Sequence, residues 1–199
     1  MRRRILSAVA VLALAVGLAA CSGANDDLSN QYREGNTQGF ISSNGTVEEI
    51  PAAERGEALS FSGTAVDGST VSSDEFAGDV LVLNFWYAAC GPCRAEAPFL
   101  EEAYDDTSAD GAQFLGVNIY DGPEQAASFE KTYGVPYPSI LARGDVDLKL
   151  EFADWTSLQA APTTLVVDRE GRVAARLFGQ LEDASTLRTL VDDALAEEG

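Results

Sequence analysis

A Cys-x-x-Cys pair, Cys90-Gly91-Pro92-Cys93, stands between an apolar run, Val80-Leu81-Val82-Leu83-Asn84-Phe85-Trp86, and a helix-forming one that starts at Pro92. The apolar run has strand length and little polar alternation, the pattern of a central strand buried on both faces. Pro92 suits the first turn of a helix, where its missing N–H would have no intrahelical partner anyway. The pair therefore falls at a strand-to-helix turn. A helix N-terminus presents free N–H groups and partial positive charge, both of which stabilise a thiolate. The thiolate is the attacking species in disulfide exchange, so this placement constrains fold and chemistry together.

Around this turn the elements alternate. Leu59–Val66 and Ser69–Val71 flank Asp67-Gly68 and predict a hairpin, and Ser72 or Ser73 caps a short turn ending at Gly78. A helix is predicted from Pro92 to about Asp106, a strand over Gln113–Tyr120 and a helix from about Asp121 to Tyr133. Short elements follow at Pro138–Ala142 (strand) and Val146–Phe152 (helix). Thr163–Val167 and Arg172–Phe178 read as a hairpin through the turn Asp168-Arg169-Glu170-Gly171. Glu182–Glu198 is amphipathic, with Leu187, Leu190, Val191, Ala194 and Leu195 on one face. The order predicts an α/β fold: a central mixed β-sheet flanked by helices, with an N-terminal β-hairpin extension.

Composition removes several chemistries. The 199 residues contain no histidine and only one methionine, Met1. Ser–His and Cys–His catalysis, His-ligated metals and thioether copper sites are thereby excluded. Thirty-two acidic residues against 13 basic ones give a formal charge of −19, which argues against nucleic acid as a partner.

The third cysteine belongs to the N-terminus. Met1-Arg2-Arg3-Arg4 is a positive n-region and Ile5–Leu18 an apolar h-region. Leu18-Ala19-Ala20-Cys21 resembles the bacterial lipoprotein box, which predicts a signal peptide over 1–20 and a lipidated Cys21. With Cys21 acylated, Cys90 and Cys93 are left to pair with each other. From Ser22 the chain is rich in Ser, Gly, Asn, Asp and Thr and predicts a flexible tether through residue 57. The globular domain is expected over 58–199. This places the protein outside the cytoplasmic membrane, anchored to its outer face by the lipid on Cys21.

Phe85-Trp86-Tyr87-Ala88-Ala89-Cys90-Gly91-Pro92-Cys93-Arg94-Ala95-Glu96-Ala97-Pro98, followed later by Ala161-Pro162-Thr163-Thr164, resembles the active-site signature of the thioredoxin superfamily. It is most similar to the TlpA/ResA-like extracytoplasmic thiol–disulfide oxidoreductases, and the resemblance spans about Ala58 to Ala196. It implies a thioredoxin fold, with Cys90 attacking and a more buried Cys93 resolving the mixed disulfide. It also implies a cis peptide bond at Pro162 beside the pair, and a client segment bound along Gly91, Pro92, Ala161 and Pro162. Glu96 matches an acidic residue of these reductases. It is read as a carrier for the Cys93 proton or, alternatively, as a first-turn carboxylate complementing the helix dipole. Trp86 is read as a shield and docking surface or as core, and Tyr87, Tyr120, Tyr137 and Trp155 as groove lining or core. Asn84 departs from thioredoxins proper, which carry an acidic residue at that strand position.

The implied reaction needs no cofactor beyond the Cys90/Cys93 disulfide, and no metal. The implied partners of this monomeric reductase are a disulfide-containing client protein and a membrane-embedded thiol donor, with cytochrome c maturation the commonest family role. Net oxidation or isomerisation of secreted proteins is the alternative, since potential and not fold sets direction. A peroxiredoxin-like peroxidase is disfavoured by Tyr87 and Leu83, where it wants Thr or Ser and Pro. Cu(I) carriage lacks its His, and a non-catalytic binding module stands last.

Overall fold

In the computed structural model, residues 40–42, 45–156 and 161–197 are described. The signal segment, Cys21 and residues 22–39 of the expected tether lie outside them. The main sheet has seven strands: β1 (Phe40–Ser42), β2 (Gly45–Glu49), β5 (Val80–Trp86), β6 (Ala112–Asn118), β7 (Ser139–Leu141), β8 (Thr163–Val167) and β9 (Val173–Phe178). Their order is β1-β2-β9-β8-β5-β6-β7. β5, β6 and β7 run parallel, whereas β8 pairs antiparallel to β5 and β9 antiparallel to β8. The predicted hairpin forms its own two-stranded sheet, β3 (Ser62–Thr64) with β4 (Thr70–Ser72). The chain turns between them at Asp67-Gly68, where Gly68 takes a φ of 89° that disfavours any side chain.

Helices cover both faces: α1 (Gly91–Thr107), α2 (Pro123–Tyr133), α3 (Val146–Glu151) and α4 (Ser185–Ala196). Every residue of β5 is buried, as its unbroken apolar run requires. Alternate side chains go to opposite cores. Leu81, Leu83 and Phe85 join Phe61 and Val71 of the hairpin region and Leu148 and Phe152 around α3. Val80 and Val82 join Leu100 and Ala103 of α1 and Leu187 and Val191 of α4. Truncating one of these fully buried leucines, such as Leu83→Ala, costs about 2–5 kcal/mol. β5 is thereby a rigid rod whose C-terminal end delivers the cysteine turn.

The domain begins earlier than position 58. β2 pairs antiparallel with β9, from Thr46 opposite Phe178 to Glu49 opposite Ala175. Glu48 forms an ion pair with Arg176, and Ile50 donates its N–H to the Ala174 carbonyl at 2.7 Å. A polar strand next to the sheet edge contributes backbone hydrogen bonds and little apolar area, so hydrophobic periodicity does not reveal it. Arg55, also placed in the expected tether, is half-buried, its side chain 5% exposed in a network with Asp168 (2.8 Å), Glu197 (2.6 Å) and the Ile50 carbonyl (2.9 Å).

Candidate active site

The site is assembled where β5 ends. Tyr87–Ala89 turn the chain, with the Cys90 N–H donating to the Tyr87 carbonyl at 3.1 Å. Cys90 is the N-cap of α1 in extended conformation, and its Sγ accepts the Cys93 N–H at 3.1 Å. One of the free donors of the helix N-terminus is thus aimed at this sulfur, the arrangement that stabilises a thiolate in the reduced state. Cys90 and Cys93 are joined in a disulfide with an S–S distance of 2.03 Å. The Arg94 guanidinium folds back beside it, donating to the carbonyls of Cys90 (3.3 Å) and Ala89 (3.2 Å).

Cys93 is not the more buried of the two: each cysteine is 2% exposed. Cys90 is covered because the stretch before β8 lies against it, bringing the Ala161 carbonyl oxygen 3.9 Å from its Sγ. The Ala161–Pro162 peptide bond is cis. Gly91 and Pro92 are exposed at the helix entry, with open space beyond the Gly91 Cα. Trp86 provides no docking surface. It is 3% exposed and stacks on Phe129 of α2, with ring centroids 4.3 Å apart. α2 covers the last residue of β5 as the rest of the rod is covered, so Trp86 packs in one small cluster with both cysteines.

Behind the disulfide, one helical turn beyond Cys93 and on the same face of α1, Glu96 is fully buried. Its Oε1 accepts the Asn84 amide at 2.9 Å and its Oε2 the Leu181 N–H at 3.0 Å. The Asn84 amide also reaches Thr164 Oγ1 at 3.1 Å, linking α1, β5 and β8. Burial pushes the Glu96 carboxyl up to about 7, and the hydrogen bonds from Leu181 and Asn84 offset part of that rise. No salt bridge reaches it among the described residues. A carboxyl titrating near neutrality can accept and return a proton at physiological pH. The helix starts at Gly91 and has no acidic residue in its first turn, so Glu96 lies beyond the turn in which a carboxylate complements the helix dipole.

The aromatic candidates divide. Tyr87 and Tyr120 meet edge to face at 5.2 Å, and Tyr120 is 47% exposed. Tyr137 is core, packed against Phe114 and Tyr104. Burial, with the Glu96 and Glu130 charges, holds its hydroxyl well above the ordinary tyrosine range. Trp155 packs against the hairpin-side core. Thr164, Leu181, Asn118 and Asp121 escaped the sequence reading. Asp121 reads from sequence as a helix opener, yet it is buried and its Oδ2 accepts the Ala88 N–H at 2.6 Å. Only the meeting of β6 with the cysteine turn reveals it.

Known proteins are similar in both sequence and fold. The Redoxin family profile matches residues 48–191, a span that begins at the last two residues of β2. Thiol-disulfide oxidoreductase ResA of Bacillus subtilis is 26% identical over 132 residues, covering 66% of this chain and 71% of that protein. Thiol:disulfide interchange protein HelX of Rhodobacter capsulatus is 37% identical over 120 residues, covering 60% of this chain and 62% of that one. The crystal structure of a DsbF homologue from Corynebacterium diphtheriae superposes with a TM-score of 0.66 at 28% identity, covering 79% of this chain and 99% of that one. The chain belongs to the Redoxin family and is a thiol–disulfide oxidoreductase of the TlpA/ResA-like branch of the thioredoxin superfamily.

Proposed function

We propose that the protein is a membrane-tethered reductase of client disulfides, acting outside the cytoplasmic membrane through Cys90 and Cys93. The carrying observation is the Cys90 sulfur, which caps α1 under the Cys93 N–H while a buried, titratable Glu96 stands one turn behind. In the reduced enzyme the Cys90 thiolate attacks a client disulfide, forming a Cys90–client mixed disulfide and expelling one client thiolate. Cys93 then gives its proton to the Glu96 carboxylate and attacks Cys90 Sγ. This closes the Cys90–Cys93 disulfide and expels the second client thiolate, which is protonated from Glu96 or water. The client gains two electrons and two protons, and a membrane-embedded dithiol donor restores Cys90 and Cys93. The Ala161 carbonyl, beside Cys90 Sγ, offers the backbone of a client segment a pairing partner, with Gly91, Pro92 and Pro162 framing it.

The leader, Cys21 and the polar stretch after it support the tethered location, and the resemblance supports an apocytochrome as one client. In a dithiothreitol-coupled assay on a model disulfide, Cys90→Ser is expected to abolish turnover, and undiminished activity would overturn the reading. Cys93→Ala is expected to trap clients as stable mixed disulfides. A midpoint potential near that of thioredoxin, about −270 mV, fits a reductase, whereas one near about −120 mV makes the protein an oxidant.

A further inference from the structure

The turn that carries Cys90 is held by a carboxylate from another strand. β5 ends at Trp86 and α1 begins at Gly91, so the N–H of Ala88 belongs to neither the ladder nor the helix. It donates instead to Asp121 Oδ2 at 2.6 Å, a short, charge-assisted bond. The same oxygen accepts the Asn118 amide at 2.9 Å. Asn118 Oδ1 in turn accepts the N–H groups of Tyr120 (3.2 Å) and Asp121 (2.7 Å). Asn118 is 0% exposed and Asp121 6%. A carboxylate so buried is costly unless hydrogen-bonded, and here its bonds are spent on the approach to the reactive sulfur.

We propose that Asp121, oriented by Asn118, is a positioning residue that fixes the Tyr87–Ala89 turn and thereby holds Cys90 Sγ in line for attack. The proposal rests on Cys90 being the attacking thiol. During turnover Cys90 Sγ exchanges its bond to Cys93 for one to the client and back again, and the backbone bearing it must keep its place through both exchanges. The turn is pinned on one side where the Ile119 N–H meets the Trp86 carbonyl at 3.1 Å, and on the other by the Arg94 guanidinium. Between these points the Ala88 N–H and Asp121 join the end of β6 to the cysteine turn. A loosened turn misplaces the sulfur, and small misplacements in reacting geometry slow a reaction steeply.

Two variants separate geometry from charge. Asp121→Asn and Asp121→Ala remove the same negative charge, but only the amide oxygen of the first can still accept from Ala88 and Asn118. Both are compared with wild type for kcat/KM on a model disulfide and, after reduction with dithiothreitol and removal of the excess, for the rate of Cys90 alkylation by iodoacetamide at pH 7. Asp121→Ala is expected to be about 10-fold slower than wild type in both, the scale of a misplaced reacting group. Asp121→Asn is expected to recover to within about two-fold of wild type by keeping the two hydrogen bonds. Equal rates in the two variants, both folded, overturn the proposal. Amide hydrogen exchange of Ala88 in the unmodified protein tests it without any substitution: protection well above that of an open loop is expected, and exchange at the unprotected rate overturns it. If iodoacetamide labels Cys93 in place of Cys90, the assignment of the attacking thiol has failed, and the proposal falls with it. A slow Asp121→Ala in which Cys90, and not Cys93, is the residue labelled supports both.

Discussion

Two buried carboxylates, Glu96 at one end of the sheet and Asp168 at the other, are treated in opposite ways. They are 0% and 4% exposed. Asp168, in the turn between β8 and β9, accepts the N–H groups of Glu170 and Arg172 on one oxygen, each at 2.9 Å. Its other oxygen takes Arg55 Nη1 at 2.8 Å and Arg172 Nε at 3.0 Å. Burial works to raise its carboxyl, but the Arg172 N–H and the two guanidiniums outweigh that and hold it below the ordinary aspartate range. Glu96 receives only neutral donors, and burial carries it up to about 7. A carboxylate ringed by cations is locked in one charge state and serves as a staple. One given only an amide and a backbone N–H keeps its proton exchangeable, which suits a site where a thiol proton must move.

The largest test of this contrast is chemical. Glu96→Gln is expected to slow resolution of the Cys90 mixed disulfide by about 100-fold at pH 7, the scale of a lost general acid–base group. Stopped-flow measurement should also show the inflection near pH 7 disappearing. An unchanged rate and pH profile would remove Glu96 from the reaction. The next largest is structural. Arg55→Met leaves Asp168 and Glu197 short of a partner and is expected to cost about 3 kcal/mol in urea unfolding, as breaking a buried ion pair does. Turnover per folded molecule should be unaffected, and a loss of turnover would mean that the staple reaches the cysteines.

The pH dependence of stability has opposite signs at the two sites. The Glu96 carboxyl is raised in the folded state, so its contribution is complete below its unfolded value of 4.5 and is lost as pH rises through about 7. Asp168 is lowered, so its contribution is present above 3.8 and is lost as pH falls through its folded value. Glu96→Gln should therefore gain roughly 3 kcal/mol on wild type between pH 4 and pH 8. Parallel stability changes in the two proteins would show that the Glu96 carboxyl is not raised in the folded state. Asn84→Asp should have the smallest effect. A second carboxyl beside Glu96 is expected to raise the upper apparent pKa of the pair by about one unit, readable by carbon-13 NMR titration of the side chains.

Legibility in the sequence followed the strength of the local signal. The β5 and β8 boundaries agree with the apolar runs Val80–Trp86 and Thr163–Val167, because continuous burial leaves no ambiguity of period. Helix ends shifted by a few residues: the closing helix starts at Ser185 and not Glu182. There Asp183 captures the Ser185 N–H at 2.9 Å in a local turn. β2 was illegible, since a polar strand near the sheet edge is defined by its partners β1 and β9 and not by its own side chains. Trp86 stayed open between docking surface and core because an aromatic next to a reactive pair looks the same in sequence whether or not a helix lies over it.

By itself the sequence determined the chemistry: two cysteines at a strand-to-helix turn, no histidine and no methionine beyond Met1 to support another, and an acidic residue one turn beyond. Those are properties of composition and short spacing, which no packing can alter. Tertiary structure alone decided the charge states. Whether Glu96 or Asp168 keeps its proton depends on which donors arrive from Asn84 of β5, the Leu181 backbone, Arg55 and Arg172, up to 113 residues away along the chain. The same holds for Asp121, which meets the Ala88 N–H only because β6 lies parallel to β5. Electrostatic energy depends on distance in space and on access to water, and both are set by the fold.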